Sequence, residues 1–209
     1  MAASIVTGCE TEIINCPQLS DVEAAMEILR HLGCRAEREG DIVNIDSHGM
    51  TRTDIPRDLM HEMRSSVIFL GAILARTHEA QLTYPGGCEL GARPIDMHLE
   101  ALRALGAQIE EDGGKLECRD SGLVGTRIAL PFPSVGATEN AMLAACGAAG
   151  QTTIVNAAKE PEIVDLQCFL RSLGASVAGA GTSIVTISGF APRQIVGHRV
   201  MSDRIVSAT

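Results

Sequence analysis

The apolar positions of this chain sort into two kinds of helix and one kind of strand, in an order that recurs. Three segments, VEAAMEILRHLGCRAEREGDIVNID, DMHLEALRALGAQIEEDGGKLECR and VDLQCFLRSLGASVAGAGTSIVTIS, each contain Leu-Arg-x-Leu-Gly, ending at Gly33, Gly106 and Gly174, about 70 residues apart. Apolar residues at i, i+3 and i+4 before each glycine predict an amphipathic helix. The glycine predicts a left-handed cap that stops it. Alternating residues then predict a strand, a glycine turn and a second strand. A second kind of helix lies between the copies. Met63 to Ala75 (MRSSVIFLGAILA) and Thr138 to Gly150 (TENAMLAACGAAG) are apolar nearly all round, which predicts helices buried on every side. Each runs into a short strand, AQLTYP or TTIVNA. The predicted unit is helix, strand, helix, strand, strand, in an α/β (α+β) fold of one domain spanning residues 1–209, with repeats at about 1–47, 58–119 and 136–189.

The first unit reads as incomplete. MAASIVTGCETEIINCP looks like the end of a buried helix entering a strand, without the helix's beginning. HRVMSDRIVSAT stops where another helix would start. Together these predict a piece of a larger protein, with an apolar seam through which it would self-associate.

Composition narrows the chemistry. The chain is 45% hydrophobic but only 2% aromatic, so its core must be aliphatic side chains and small residues. A net charge of -9 leaves no basic stripe for nucleic acid. An anionic ligand must be held locally, by a few arginines or by helix N-termini, against the overall field. Seven cysteines, an odd number with no C-x-x-C spacing, argue against a zinc site or a disulfide framework. They fit a reduced, cytosolic protein whose thiols are mostly buried. No run of about 18 apolar residues predicts a membrane span.

Candidate chemistry gathers around YPGGCELGARPIDMHLEALRALGA. Cys88 sits on a glycine-rich loop outside any apolar periodicity, beside Arg93 and a helix start. A thiol so placed is expected to be partly exposed with a depressed pKa. Arg93, Pro94, Ile95 and Asp96 open the helix. Proline suits a first helical position, and free N–H groups beside an arginine make an anion site. The third copy opens with acids instead, in EPEIVD, the ordinary pairing with the helix dipole. Arg64 stands at the mouth of the first buried helix. Ser134 to Ala137 forms a polar lead-in to the second, with Thr138 as a candidate N-cap. His98, just inside the Arg93 helix, reads locally as an exposed structural histidine rather than a catalytic one. It is also the only nearby base for a cysteine hydrolase using Cys88. There is no Walker motif, G-x-G-x-x-G, H-E-x-x-H or G-x-S-x-G.

Four stretches in order, MRSSVIFLG, PGGCELGARPIDMHLEAL, PSVGATEN and AAKEPEIVDL, resemble the UDP-N-acetylglucosamine enolpyruvyl transferases over essentially the whole chain. The resemblance implies three βαβαββ-type repeats forming one enolpyruvyl-transferase-like domain, with buried helices and outer sheets. It implies transfer of the enolpyruvyl group from phosphoenolpyruvate to the 3-hydroxyl of UDP-N-acetylglucosamine with release of phosphate, the first committed step of peptidoglycan synthesis. It implies no cofactor and no metal. Cys88 matches the loop thiol that acts as general acid, forms an adduct with phosphoenolpyruvate and is the fosfomycin target. Arg93 matches the arginine that meets the substrate anions. Pro94, Ile95, Asp96 and Met97 match the uridine-side loop, Arg64 another nucleotide-sugar contact, and Ser134, Val135 and Gly136 the diphosphate-binding helix start; His98 is counted with these as substrate-binding. Phe132 stands where some relatives carry lysine. The family's Lys-Asn pair and its entire second domain have no counterpart here, so the chain alone is expected to show negligible turnover. The shikimate-pathway relative fits less well, because it uses no loop cysteine. From another class, a non-catalytic fragment that folds and at most binds nucleotide-sugar is the alternative.

Overall fold

The computed structural model describes residues 1–63, 65–83, 95–190, 193 and 195–202. After a short 3-10 turn at Ala2–Ile5 the chain forms β1 (Glu10–Ile14), α1 (Ser20–His31), β2 (Arg35–Glu39) and β3 (Ile42–Asp46). The second repeat is β4 (Asp54–Ile55), α2 (Arg57–Glu62), α3 (Phe69–Thr77), β5 (Glu79–Thr83), α4 (Asp96–Ala104), β6 (Gln108–Asp112) and β7 (Lys115–Arg119). The third is β8 (Arg127–Ala129), α5 (Val135–Ala145), β9 (Gln151–Val155), α6 (Pro161–Leu173), β10 (Ala175–Ala178) and β11 (Ile184–Phe190), and β12 (Ile195–Arg199) follows.

These strands make three four-stranded sheets, ordered β12-β1-β3-β2, β4-β5-β7-β6 and β10-β11-β9-β8. Each repeat places its hairpin next to the strand that follows the buried helix, and a short parallel strand next to that. Alternating burial along β1, β5 and β9 gives each sheet one apolar face, which packs inward while the other meets water. The amphipathic helices α1, α4 and α6 end as their sequences predict. Gly33, Gly106 and Gly174 all adopt positive φ. In the first two copies the same pair of bonds closes the turn: Gly33 N to Arg30 O and Cys34 N to Leu29 O, Gly106 N to Arg103 O and Ala107 N to Leu102 O.

The helices apolar all round are the centre of the molecule. Phe69 to Leu74 of α3 are all buried, as are Ala137, Thr138 and Asn140 to Ala145 of α5. The two cross closely because Gly71 presents no side chain. A Cβ there would collide with the Oδ1 and backbone O of Asn140. The Ala2–Ile5 turn packs on α3 and α6. A cavity of about 480 Å³ lies beside it, lined among others by Ala3, Phe69, Leu143 and Phe169.

Several elements differ from the sequence expectations. The hydrophobic pattern does not predict β4, β8 or β12, although the βαβαββ repeat implied by the resemblance has a leading strand where β4 and β8 stand. β12 pairs parallel with β1, in register from Glu10 with Ile195 to Ile14 with Arg199. It thereby takes the place that β4 holds beside β5 and β8 beside β9, so the first sheet gains its parallel strand from residues far along the chain. The α5 helix starts at Val135, with Ser134 as its N-cap. Thr138 is therefore a buried first-turn residue and not the cap. The helix read from Arg93 and Pro94 starts at Asp96, with Ile95 as N-cap. Of the six cysteines outside the loop, five are buried and Cys168 on α6 is exposed. Burial pushes the thiols of Cys34, Cys118 and Cys146 up to about 11, 12 and 12. No helix among the described residues is long and apolar enough to cross a membrane.

Candidate functional site

Two helix starts meet at one place. At the first, Ser134 has extended backbone and its Oγ accepts from the N–H of Ala137 at 3.3 Å, a side-chain N-cap. The hydroxyl of Thr138 donates to the carbonyl of Ser134 at 2.7 Å and accepts from the N–H of Ala158 at 3.1 Å. That second bond ties the start of α5 to the segment leading into α6, so the cap is held from both sides. Val135 and Gly136 occupy the first turn, where backbone N–H groups have no intrahelical acceptor.

The second start belongs to α4. Ile95 is buried and serves as N-cap, and its carbonyl accepts from the N–H groups of His98 and Leu99 at 2.9 and 3.1 Å. Asp96 and Met97 make the first turn. His98 follows, and its side chain bridges the two helices. A Cβ built on Gly136 would sit 3.1 Å from Cε1 and 3.3 Å from Nε2 of His98, so the imidazole lies flush against the first turn of α5. Its Nδ1 lies 3.1 Å from Nδ2 of Asn140, deeper in the same helix. His98 is only 9% exposed. The exposed histidine expected from local sequence is thus a buried one, because α5 packs over it from 42 residues away.

Among the candidate residues the structure brings His98 of the α4 start against Gly136 of the α5 start. Arg64, Cys88, Arg93 and Pro94 lie outside the described residues. Two adjoining helix starts each carry first-turn N–H groups without intrahelical acceptors, a feature suited to an anion even in a chain of net charge -9. Among the described residues no group of three or more His, Cys, Asp or Glu could hold a metal ion. The 480 Å³ cavity is elsewhere, and none of the described candidate residues lines it. Glu139 on its wall has its carboxyl pushed up to about 7 by burial, then by Glu162, with the Met1 ammonium opposing.

Sequence reasoning missed Asn140 and the second role of Thr138. A signal was present: Thr138 and Asn140 are polar residues inside an otherwise apolar helix pattern, and buried polar side chains need partners.

The comparisons with known proteins agree with this architecture. The family model described as EPSP synthase (3-phosphoshikimate 1-carboxyvinyltransferase) matches residues 1–209. UDP-N-acetylglucosamine 1-carboxyvinyltransferase 2 of Caldanaerobacter subterraneus subsp. tengcongensis is 46% identical over 209 residues, covering 100% of this chain and 50% of the relative. UDP-N-acetylglucosamine 1-carboxyvinyltransferase 1 of Symbiobacterium thermophilum is 47% identical over 215 residues, with 100% and 49% covered. The chain thus spans about half the length of these curated relatives. The crystal structure of the enolpyruvyl transferase NikO from Streptomyces tendae superposes with a TM-score of 0.83 at 23% identity, covering 99% of this chain and 49% of that one, which is a likeness of fold.

Proposed function

The chain belongs to the EPSP synthase (3-phosphoshikimate 1-carboxyvinyltransferase) family, and on that premise we propose that it supplies the nucleotide-sugar-binding, cysteine-loop half of a UDP-N-acetylglucosamine 1-carboxyvinyltransferase site. The observation that carries this reading is the meeting of the α4 and α5 N-termini across His98 and Gly136. Two sets of first-turn N–H groups there suit the diphosphate of a nucleotide sugar, with Ser134, Val135 and Gly136 on one side and Ile95, Asp96, Met97 and His98 on the other. Arg93 and Arg64 would add fixed positive charge, and Pro94 would shape the uridine side. Relatives 46% and 47% identical carry the name of the nucleotide-sugar enzyme, and the Gly-Gly-Cys loop favours it over the shikimate enzyme.

In this reading Cys88 is the general acid that protonates the enol carbon of phosphoenolpyruvate and forms an adduct with it. A thiol serves because its pKa can be brought near the working pH by neighbouring positive charge. Glycines stand on both sides of it in the sequence, the residue type that suits a segment closing over substrate. The acceptor is the sugar 3-hydroxyl and the leaving group is phosphate. The compartment we propose is the cytoplasm, supported by six described cysteines that are all unpaired.

Half coverage of the relatives favours a site completed by a second domain, since a cleft between domains needs both walls. The test is phosphate release from phosphoenolpyruvate and UDP-N-acetylglucosamine, with the chain alone and with the other half of a close relative added as a separate polypeptide. We expect negligible turnover alone, turnover on addition, and its loss in Cys88→Ala. Steady turnover by the chain alone would contradict the two-part site. Turnover surviving Cys88→Ala would remove the loop thiol from the mechanism.

A further inference from the structure

We propose that the cavity of about 480 Å³ between α5, α6 and the Ala2–Ile5 turn binds a small organic amine, which lays its apolar body on the cavity floor and sets its ammonium on the carboxylate of Glu139. This does not depend on the nucleotide-sugar reading above, since none of the described residues of that site lines the cavity.

Size and lining point to a ligand. Close-packed interiors hold few voids larger than a water molecule, whereas sites for small organic molecules span about 300–1,000 Å³. A volume of about 480 Å³ falls in the second range. The floor is apolar, with Ile68, Leu143, Leu166 and Phe169 among its residues. Ile68 and Leu166 are only partly buried, so they leave apolar surface for an occupant to remove from water. Pro17 and Ser202 line the cavity too and are exposed, so it is reached from solvent without opening the core. An apolar void of this kind takes up apolar molecules in preference to water.

The polar wall selects the sign of the ligand. Glu139, Glu162 and Asp165 all line the cavity, so an anion is repelled. Asp165 already has partners: its Oδ2 lies 3.2 Å from Nε2 of His198, and its Oδ1 accepts from the N–H of Met201 at 3.3 Å. Glu139 differs, for among the described residues no hydrogen bond or ion pair reaches its carboxyl. The Met1 ammonium opposes the shift of Glu139 only through space, and burial lowers its own pKa. Burial, then Glu162, pushes the Glu139 carboxyl up to about 7, as expected for a carboxylate withdrawn from water without a donor. An amine brings both missing parts, an apolar body for the floor and a charged donor for the carboxylate. It binds the ionised carboxylate, so below about pH 7 it must first displace a proton from Glu139. Its affinity therefore rises with pH through that range, while the amine itself stays charged.

The test is calorimetric titration of the intact chain with cyclohexylmethylamine, and with cyclohexylmethanol as its uncharged counterpart, at about pH 6 and about pH 8. The expected result is saturable binding of the amine, about tenfold tighter than the alcohol at the higher pH, the scale of a hydrogen bond to a charged group. The preference should shrink at the lower pH. No saturable binding by the wild-type chain would overturn the proposal. So would equal affinities for amine and alcohol, or an amine affinity that does not change with pH; these comparisons need no variant to fold. Glu139→Gln should bring the amine down to the affinity of the alcohol and remove the pH dependence. An unchanged amine affinity in that variant would overturn the role of Glu139. Leu166→Trp, at a partly buried position on the floor, should fill the cavity and weaken both ligands about tenfold or more. Full binding by a folded Leu166→Trp chain would place the amine somewhere other than this cavity and overturn the assignment.

Discussion

Gly71 and Glu139 show how single residues set the core's tolerances. At Gly71 the neighbouring helix comes so near that Asn140 fills the space of a side chain. Gly71→Ala should cost about 3 kcal/mol or more, at the upper end of overpacking penalties, because the obstructing atoms include backbone. Urea unfolding would measure it, and a loss below 1 kcal/mol would mean that the α3–α5 crossing is looser than described. Glu139 makes stability depend on pH. Its carboxyl is raised from 4.5 to about 7 in the folded chain, mainly by burial. The folded state holds this proton more tightly than the unfolded chain does. The resulting stabilisation is full below about pH 4.5 and is lost as pH rises through about 7, amounting to at most about 3 kcal/mol. Glu139→Gln should therefore gain stability over wild type between about pH 5 and 8. Identical pH profiles for the two would contradict the assignment.

At the scale of elements, the helix, glycine cap and hairpin of each repeat were legible because all their signals are local. Leu-Arg-x-Leu-Gly carries its own periodicity and its own stop, and α1, α4 and α6 obey it. The parallel strands were not. β4 has two residues and β8 three, too few for an alternating pattern to stand out. β12 reads Ile-Val-Gly-His-Arg, and its partner is some 185 residues earlier; a parallel pairing at that distance leaves no local trace. His98 was misjudged for a related reason. Its burial comes from α5, not from its neighbours on α4. If β12 completes the first sheet, Val196→Asp, which places a carboxylate at a buried position, should destabilise the fold by about 3 kcal/mol or more. In hydrogen exchange, protection should fall first in β1 and β12 and last in β9 and β11. Uniform loss across all three sheets would argue that β12 has no special part in the first.

For the whole molecule, three sheets around central helices place the starts of α4 and α5 side by side, although they lie about 40 residues apart in sequence. The candidate site was legible as two separate motifs. What the sequence did not carry was their contact, which depends on a glycine at 136 and a buried histidine at 98. That contact is the basis for reading the chain as the nucleotide-sugar half of a carboxyvinyl transferase. The most direct test is a titration of the nitrogen-15-labelled chain with UDP-N-acetylglucosamine, followed at the backbone amides of Asp96, Met97, Val135 and Gly136, with shikimate 3-phosphate as the competing ligand. The account predicts saturable shifts at these four amides with the nucleotide sugar and little response to shikimate 3-phosphate. Unmoved amides, or an equal response to both ligands, would contradict it.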